Sequence, residues 1–300
     1  MESLLWLASY PRSGNTFTRI LLANYFRGSD DDYDINRLAD FIPTDTCGAV
    51  WAGFSIPSPA TIESVWRIRP DLLTHYRKTG KASAYFGLKT HSANIKISGS
   101  PGFDFRPDDR VIYVVRHPLD VLLSFSDFMG RDRDSIIDLM CASGTAIVIE
   151  PDTTTLELRG SWAEHTASWL LRPPCPLFLV RYEELCLKPV ATLRNMLAFL
   201  GAPIDPERVE RAAAAASFDR VRDQEASRDF KERPEGTASG TFFRKGTILQ
   251  WPAELTALQA NRLADGCGEI MQRLGYTHPR DVLPDGSNAI GPIDLARQTP

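Results

Sequence analysis

LASYPRSGNT (Leu7–Thr16) is an apolar run that stops at Tyr10-Pro11 and gives way to a loop of Arg, Ser, Gly, Asn and Thr. Phe17 to Phe26 then reads as a helix. Strand, small-residue loop and helix is the layout that points backbone N–H groups at an anion. Against the phosphate loop G-x-x-x-x-G-K-[ST], Gly14 stands at the second glycine and Thr16 at the hydroxyl position, while Asn15 replaces the lysine and Ser9 the first glycine. The charge that reaches β- and γ-phosphates is thus absent, and Arg12 brings a cation in from an earlier position. Taken alone, a strand-to-helix turn with no ligand remains the competing reading.

The chain has 300 residues, 43% of them hydrophobic, enough to bury a full core. A net charge of −4 argues against nucleic acid held by bulk electrostatics, so any basic site must be local. The cysteines (Cys47, Cys141, Cys175, Cys186 and Cys267) are odd in number, scattered and free of C-x-x-C pairs, as suits reduced thiols in a cytoplasmic chain. Leu4 to Ala8 is too short for a signal-peptide core, and no apolar stretch reaches membrane-spanning length.

Leu4 to Ser9, Tyr85 to Lys89, Val111 to Arg116 and Leu177 to Arg181 are short apolar runs suited to central parallel strands. Helical stretches alternate with them. Val190, Leu193, Leu197 and Leu200 fall at helical spacing before Gly201, Pro206 to Ala216 is a second candidate, and Pro252 to Leu274 a long one ending at Gly275. The expectation is an α/β fold, a single domain with a central parallel sheet flanked by helices and a P-loop-NTPase-like phosphate-binding loop. The domain is expected over residues 1–278, followed by a loosely packed Pro- and Gly-containing tail at 279–300. Asp30 to Asp34 reads as a solvated acidic turn, and Glu232 to Gly240 as a mobile loop rich in Gly, Ser and Thr.

Two further stretches repeat the anion-seeking pattern. In VIYVVRHPLDVLLSF, Arg116 ends a strand, Pro118 opens a helix and Ser124 lies two turns into it. Ligands of open α/β sheets bind beyond the carboxyl ends of strands, so Arg12 and Arg116 can converge on one anion. In FFRKG (Phe242 to Gly246), Arg244 and Lys245 offer two cations, and Gly246 permits close backbone approach. Each has a bland alternative, a polar helix face or a solvated surface pair. Three such clusters in one acidic chain weigh against it.

Together these residues resemble the cytosolic-type sulfotransferases, which move a sulfuryl group from 3′-phosphoadenosine 5′-phosphosulfate (PAPS) to an acceptor. The family's 5′-phosphosulfate loop Y-P-K-S-G-T-T-W is similar to Tyr10-Pro11-Arg12-Ser13-Gly14-Asn15-Thr16-Phe17. Its 3′-phosphate arginine and serine match Arg116 and Ser124, and its R-K-G-x-x-G-D-W is similar to Arg244 through Trp251. Its K-T-H, with the catalytic base, is Lys89-Thr90-His91, and its Y-E-[DE], with a cofactor-contacting tyrosine, is Tyr182-Glu183-Glu184. The five agree in order and spacing from Leu4 to about Gly275. There are departures. Arg12 replaces a lysine and keeps the charge, but it hardly deprotonates, which favours electrostatic stabilisation over proton donation. Phe17 replaces the adenine-stacking tryptophan, Ala216-Ser217-Phe218 stands for T-S-F, and Leu249 and Gln250 break the last motif.

The resemblance implies a PAPS-dependent enzyme that requires no metal. His91 is expected as general base, with Arg12, Lys89 and Ser124 in the catalytic set. Arg12, Ser13, Gly14, Asn15, Thr16 and Phe17 are expected at the 5′ side of the nucleotide. Arg116, Ser124, Arg244, Lys245 and Gly246 are expected at the 3′-phosphate, and Tyr182 and Phe218 beside the nucleotide. His117 reads as a helix cap, and His75, His165 and His278 as surface or core. Trp51, Phe54, Trp66, Tyr76, Tyr85, Phe86, Phe125 and Phe128 precede or follow these motifs. If two or three line the cleft beside His91, the acceptor is a small apolar or aromatic molecule carrying one hydroxyl. A nucleotide kinase or NTPase on the same fold, and a non-catalytic nucleotide-binding protein, are the alternatives.

Overall fold

β1 (Leu4–Ser9) is buried at every position, as a strand covered on both faces must be. Its residues alternate between two cores, Leu4, Trp6 and Ala8 facing one and Leu5 and Leu7 the other. In the computed structural model, which describes residues 3–27, 31–46, 48–51, 54, 61–79, 86–150, 155–233 and 240–294, β1 is followed by α1 (Asn15–Arg27), two one-turn helices α2 (Leu38–Phe41) and α3 (Gly48–Trp51), and α4 (Ile62–Thr79). Next come β2 (Phe86–Thr90), a small hairpin of β3 (Lys96–Ile97) and β4 (Ser100–Pro101), β5 (Arg110–Val115), α5 (Pro118–Met129) and α6 (Arg133–Cys141). A second hairpin, β6 (Ala146–Glu150) and β7 (Thr155–Leu158), leads to α7 (Trp162–Leu170), β8 (Leu177–Arg181) and α8 (Tyr182–Leu187). The rest is helical: α9 (Pro189–Leu200), α10 (Pro206–Ala215), α11 (Phe218–Arg228), α12 (Trp251–Glu254) and α13 (Ala257–Arg273).

The main sheet is parallel, in the order β2-β1-β5-β8. From β1 the chain winds outward to β2, and from β5 it winds the other way to β8. The crevice beyond the carboxyl ends of β1 and β5 is therefore the topological switch point. Buried residues of α4, α5, α6, α7 and α13 cover one face of the sheet, and those of α1, α9 and α10 the other. This is one α/β domain.

The expected strands stand within a residue of their observed bounds, with Tyr85 outside the described residues. The long helix at Pro252 to Leu274 is corrected to two. Leu255 leaves helical geometry, and Thr256 starts α13 with a capping box closed by Gln259. The tail is also corrected. Ile290 bridges Tyr276, Arg181 Nη1 donates to the Gly291 carbonyl (2.7 Å), and Ala289 is buried, so the segment is anchored at Ala289 to Gly291, while Leu283 to Asp285 and Pro292 to Asp294 are exposed. In the acidic turn, Asp32 pairs with Arg220, while Asp34 accepts from Asn36 N and pairs with Arg228. Of the expected mobile loop, residues 234–239 lie outside the described residues.

Candidate active site

Tyr10 to Gly14 turns β1 into α1 across the switch point. Gly14 has φ 106°, and a Cβ there would stand 2.6 Å from the ring of Tyr182, so the close approach requires glycine. Arg12 holds φ 65°, a conformation uncommon outside glycine. Asn15 is buried, and its Nδ2 donates to the Leu7 carbonyl (3.1 Å) and to Ser9 Oγ (3.2 Å). The residue in the lysine position thus braces the loop against β1. Its Oδ1 is buried with no hydrogen-bond partner among the described residues. Ser13 is buried and its Oγ has no partner among the described residues, Thr16 is buried at the helix start, and half-buried Phe17 packs edge-on to Tyr182.

Two of the arginines expected to converge meet directly. Arg12 Nε donates to Ser124 Oγ (3.1 Å) and its Nη2 to the Phe242 carbonyl (3.1 Å). Its guanidinium lies 4.6 Å from the Phe128 ring centre and 4.4 Å from that of Phe242. Arg116 reaches both loops expected at the nucleotide, through Nη1 to the Arg12 carbonyl (3.4 Å) and Nη2 to that of Thr247 (3.1 Å), while Tyr182 packs under it at 4.4 Å. Its Nε is buried and has no partner among the described residues. Burial first, then the charge of Arg116, with Arg244 adding to it, pushes the Arg12 guanidinium down to about 10. Such a gathering of like charges favours an anion between them.

The base candidate is tied to the same loop. The Ser9 carbonyl, at the end of β1, accepts from His91 Nδ1 (2.8 Å), so Nε2 carries the lone pair. Burial, then Lys89, pushes the imidazole down to about 3. Burial, then Arg19, also pushes the Lys89 ammonium down. Beside them lies an ion pair that sequence reasoning missed, Glu157 with Arg159 (2.6 Å). Burial alone would raise the Glu157 carboxyl, but Arg159, then His91 and Lys89, hold it at about 2. Arg19, fully buried in α1, pairs with Glu232, whose carboxyl it and Lys89 lower against the opposing effect of burial.

The Arg-Lys-Gly stretch closes the crevice. Gly246 has φ 63°, and a Cβ there would meet the Phe218 ring at 2.2 Å, which sets the start of α11 directly against the loop. Arg244 pairs with Asp127 and Lys245 with Glu254 (2.5 Å). Lys245 is exposed, and both cations are engaged with carboxylates that the sequence did not single out. His117 caps α5 as expected, accepting from Leu119 N (3.3 Å). His165 is a core residue between Tyr113 OH (2.9 Å) and the His91 carbonyl (3.2 Å). Of the aromatic residues, Trp51, Trp66 and Phe125 are core, Phe54 and Tyr76 are partly buried against it, and Phe128 packs on Arg12. Tyr85 and the side chain of Phe86 lie outside the described structure.

The sequence model of the family described as Sulfotransferase domain matches residues 2–275. The chain belongs to this family. It is similar to the 3-beta-hydroxysteroid sulfotransferase of Cavia porcellus, 27% identical over 207 residues that make up 65% of this chain and 66% of that protein. It is also similar to sulfotransferase 2A6 of Rattus norvegicus, 26% identical over 167 residues, 52% of this chain and 54% of that one. The chain thus spans about half to two thirds of the length of these curated relatives. Among solved structures it resembles mouse sulfotransferase SULT7A1 complexed with PAP, at 16% identity and TM-score 0.55, over 91% of this chain and 86% of that one. Retinol dehydratase in complex with androsterone and inactive cofactor PAP gives 16% identity and TM-score 0.58, over 92% and 83%. At such identity the likeness to this sulfotransferase-family chain is one of fold.

Proposed function

We propose that the protein transfers the sulfuryl group of PAPS to a hydroxyl of a small-molecule acceptor, with His91 as general base. One observation carries the reading. Ser9 braces the phosphate loop through Asn15 and orients His91 through its carbonyl, so base and anion site share one anchor. A sulfuryl transfer needs that coupling, because nucleophile, sulfur and leaving oxygen must lie in line. The unpartnered Ser13 Oγ and Arg116 Nε, and the guanidinium groups of Arg12, Arg116 and Arg244, fit a ligand with separated anionic groups.

In this reading His91 Nε2 takes the acceptor's proton as its oxygen bonds to sulfur. The sulfur–oxygen bond to the 5′-phosphate breaks, and adenosine 3′,5′-bisphosphate (PAP) leaves. Arg12 and Lys89 neutralise the charge that gathers on the leaving phosphate. Thr16 and the loop N–H groups hold that phosphate, and Arg116, Ser124, Arg244 and the Lys245-Gly246 backbone hold the 3′-phosphate. An imidazole pushed down to about 3 is a poor proton acceptor. Negative charge brought beside it offsets part of this. At about 6 Å and an effective dielectric of about 20, one unit charge raises its pKa by about 2. The hydroxysteroid activity in the names of curated relatives supports a small alcohol as acceptor, and the free thiols of Cys141, Cys175, Cys186 and Cys267 support a cytoplasmic setting.

His91→Ala tests the reading. Transfer from PAPS should fall by about 10² to 10⁴-fold while the bisphosphate product binds as before. Near-normal turnover in the variant removes His91 from the mechanism.

A further inference from the structure

The stretch from Phe242 to Trp251 holds little regular structure until α12 begins, yet it carries Arg244, Lys245 and Gly246 to the crevice. Two buried carboxylates grip its ends. On α11, Glu225 accepts from the backbone N–H groups of Phe242 (2.5 Å) and Phe243 (2.9 Å). On α5, Asp120 accepts from those of Leu249 (2.6 Å), Gln250 (2.9 Å) and Trp251 (3.1 Å). Glu225 is 5% exposed and Asp120 is fully buried. Glu225 also lies 3.8 Å from Arg233 Nη1, whereas Asp120 is spent on backbone donors, and burying a carboxylate in this way is costly unless the geometry it fixes matters.

We infer that Asp120 and Glu225 are positioning residues that set the 3′-phosphate loop, and that Glu225 also sets Arg12. This rests on the proposed use of PAPS. The two ends differ in what they touch. Phe242, held by Glu225, gives its carbonyl and ring face to Arg12, at the 5′ side of the nucleotide site. Among the described residues, the end held by Asp120 makes no such contact with Arg12; Thr247, two residues before it, receives Arg116. Loss of Asp120 is therefore felt at the 3′-phosphate, and loss of Glu225 at both phosphates.

In Asp120→Asn one carboxylate oxygen becomes an amide donor facing a backbone N–H. Glu225→Gln does the same at the other end. Calorimetric affinities of adenosine 3′,5′-bisphosphate and adenosine 5′-monophosphate for the full chain read the effect. Wild type should bind the bisphosphate more tightly. If it binds both alike, the proposed function fails and not this assignment alone. Given that preference, Asp120→Asn should weaken the bisphosphate by about tenfold to a hundredfold and the monophosphate by less than about threefold, the cost of one stranded buried donor falling at one end. Glu225→Gln should weaken both nucleotides. A lower melting temperature with the affinity ratio unchanged in Asp120→Asn, or monophosphate binding untouched in Glu225→Gln, overturns the assignment. Should Asp120→Asn not fold, Asp120→Glu, which keeps the charge but overreaches, is read by the same ratio.

Discussion

Acidification should destabilise the protein through histidines it keeps neutral inside. His91, His117 and His165 are each pushed down to about 3, burial being the first cause in all of them. An unfolded histidine titrates at about 6.5, so between about pH 6.5 and pH 3 the unfolded chain binds protons that the native chain refuses. Each of these groups therefore leaves stability intact above that window and removes it as the pH falls through it. At about pH 5.5 the loss is about 1.4 kcal/mol per histidine, or about 4 kcal/mol for the set, a large part of the 5–15 kcal/mol typical of a domain. The carboxyls of Asp45, Asp120 and Glu183, raised by burial, work the other way, because they take up protons in the native state. A difference between variants cancels their contribution. His165→Gln keeps a polar side chain between Tyr113 and the His91 carbonyl but cannot gain the proton. Urea unfolding followed by tryptophan fluorescence should show wild type losing about 1.4 kcal/mol more than His165→Gln between about pH 7.5 and pH 5.5. An equal pH dependence in the two proteins would refute the neutral buried histidine.

Gly246→Ala should lower stability by about 2–4 kcal/mol, from its left-handed backbone and the contact with Phe218, and weaken the bisphosphate at least tenfold in the same calorimetric titration. An alanine variant that melts and binds like wild type would show that the loop can move away freely. Arg12→Ala should damage both nucleotide binding and turnover, because it frees Ser124 and the Phe242 carbonyl as well as removing the charge. A loss confined to turnover, with bisphosphate affinity intact, would limit Arg12 to the transition state.

What could be read from the sequence was local chemistry. The stop at Tyr10-Pro11, the small residues before Phe17, and Pro118 after Arg116 each reflect backbone geometry within a few residues, and each stands where expected. Gly246 was legible as a close approach and Gly14 as a glycine of the phosphate-loop pattern, though not what approaches them, namely Phe218 and Tyr182. Hidden were the carboxylates. Asp120 meets its partners 129 to 131 positions along the chain, and Glu232 meets Arg19 across 213. Nothing local distinguishes such a carboxylate from a solvated one. Glu157 was hidden for the same reason, although the apolar run Ala146 to Ile149 was a usable sign of the hairpin that carries it. The aromatic residues could not decide the pocket, because their density reports a core as readily as a pocket; most were expected in the core, and Trp51 and Trp66 are there.

The most direct test is transfer of labelled sulfur from PAPS by the wild-type protein to a panel of phenolic, steroidal and oligosaccharide hydroxyls, with and without a chelator. The expected result is a sulfated phenol or steroidal alcohol, one bisphosphate released per sulfate transferred, and no effect of the chelator. Transfer to the oligosaccharide alone would overturn the acceptor class. Absence of any transfer, together with magnesium-dependent cleavage of ATP, would contradict the account at its centre.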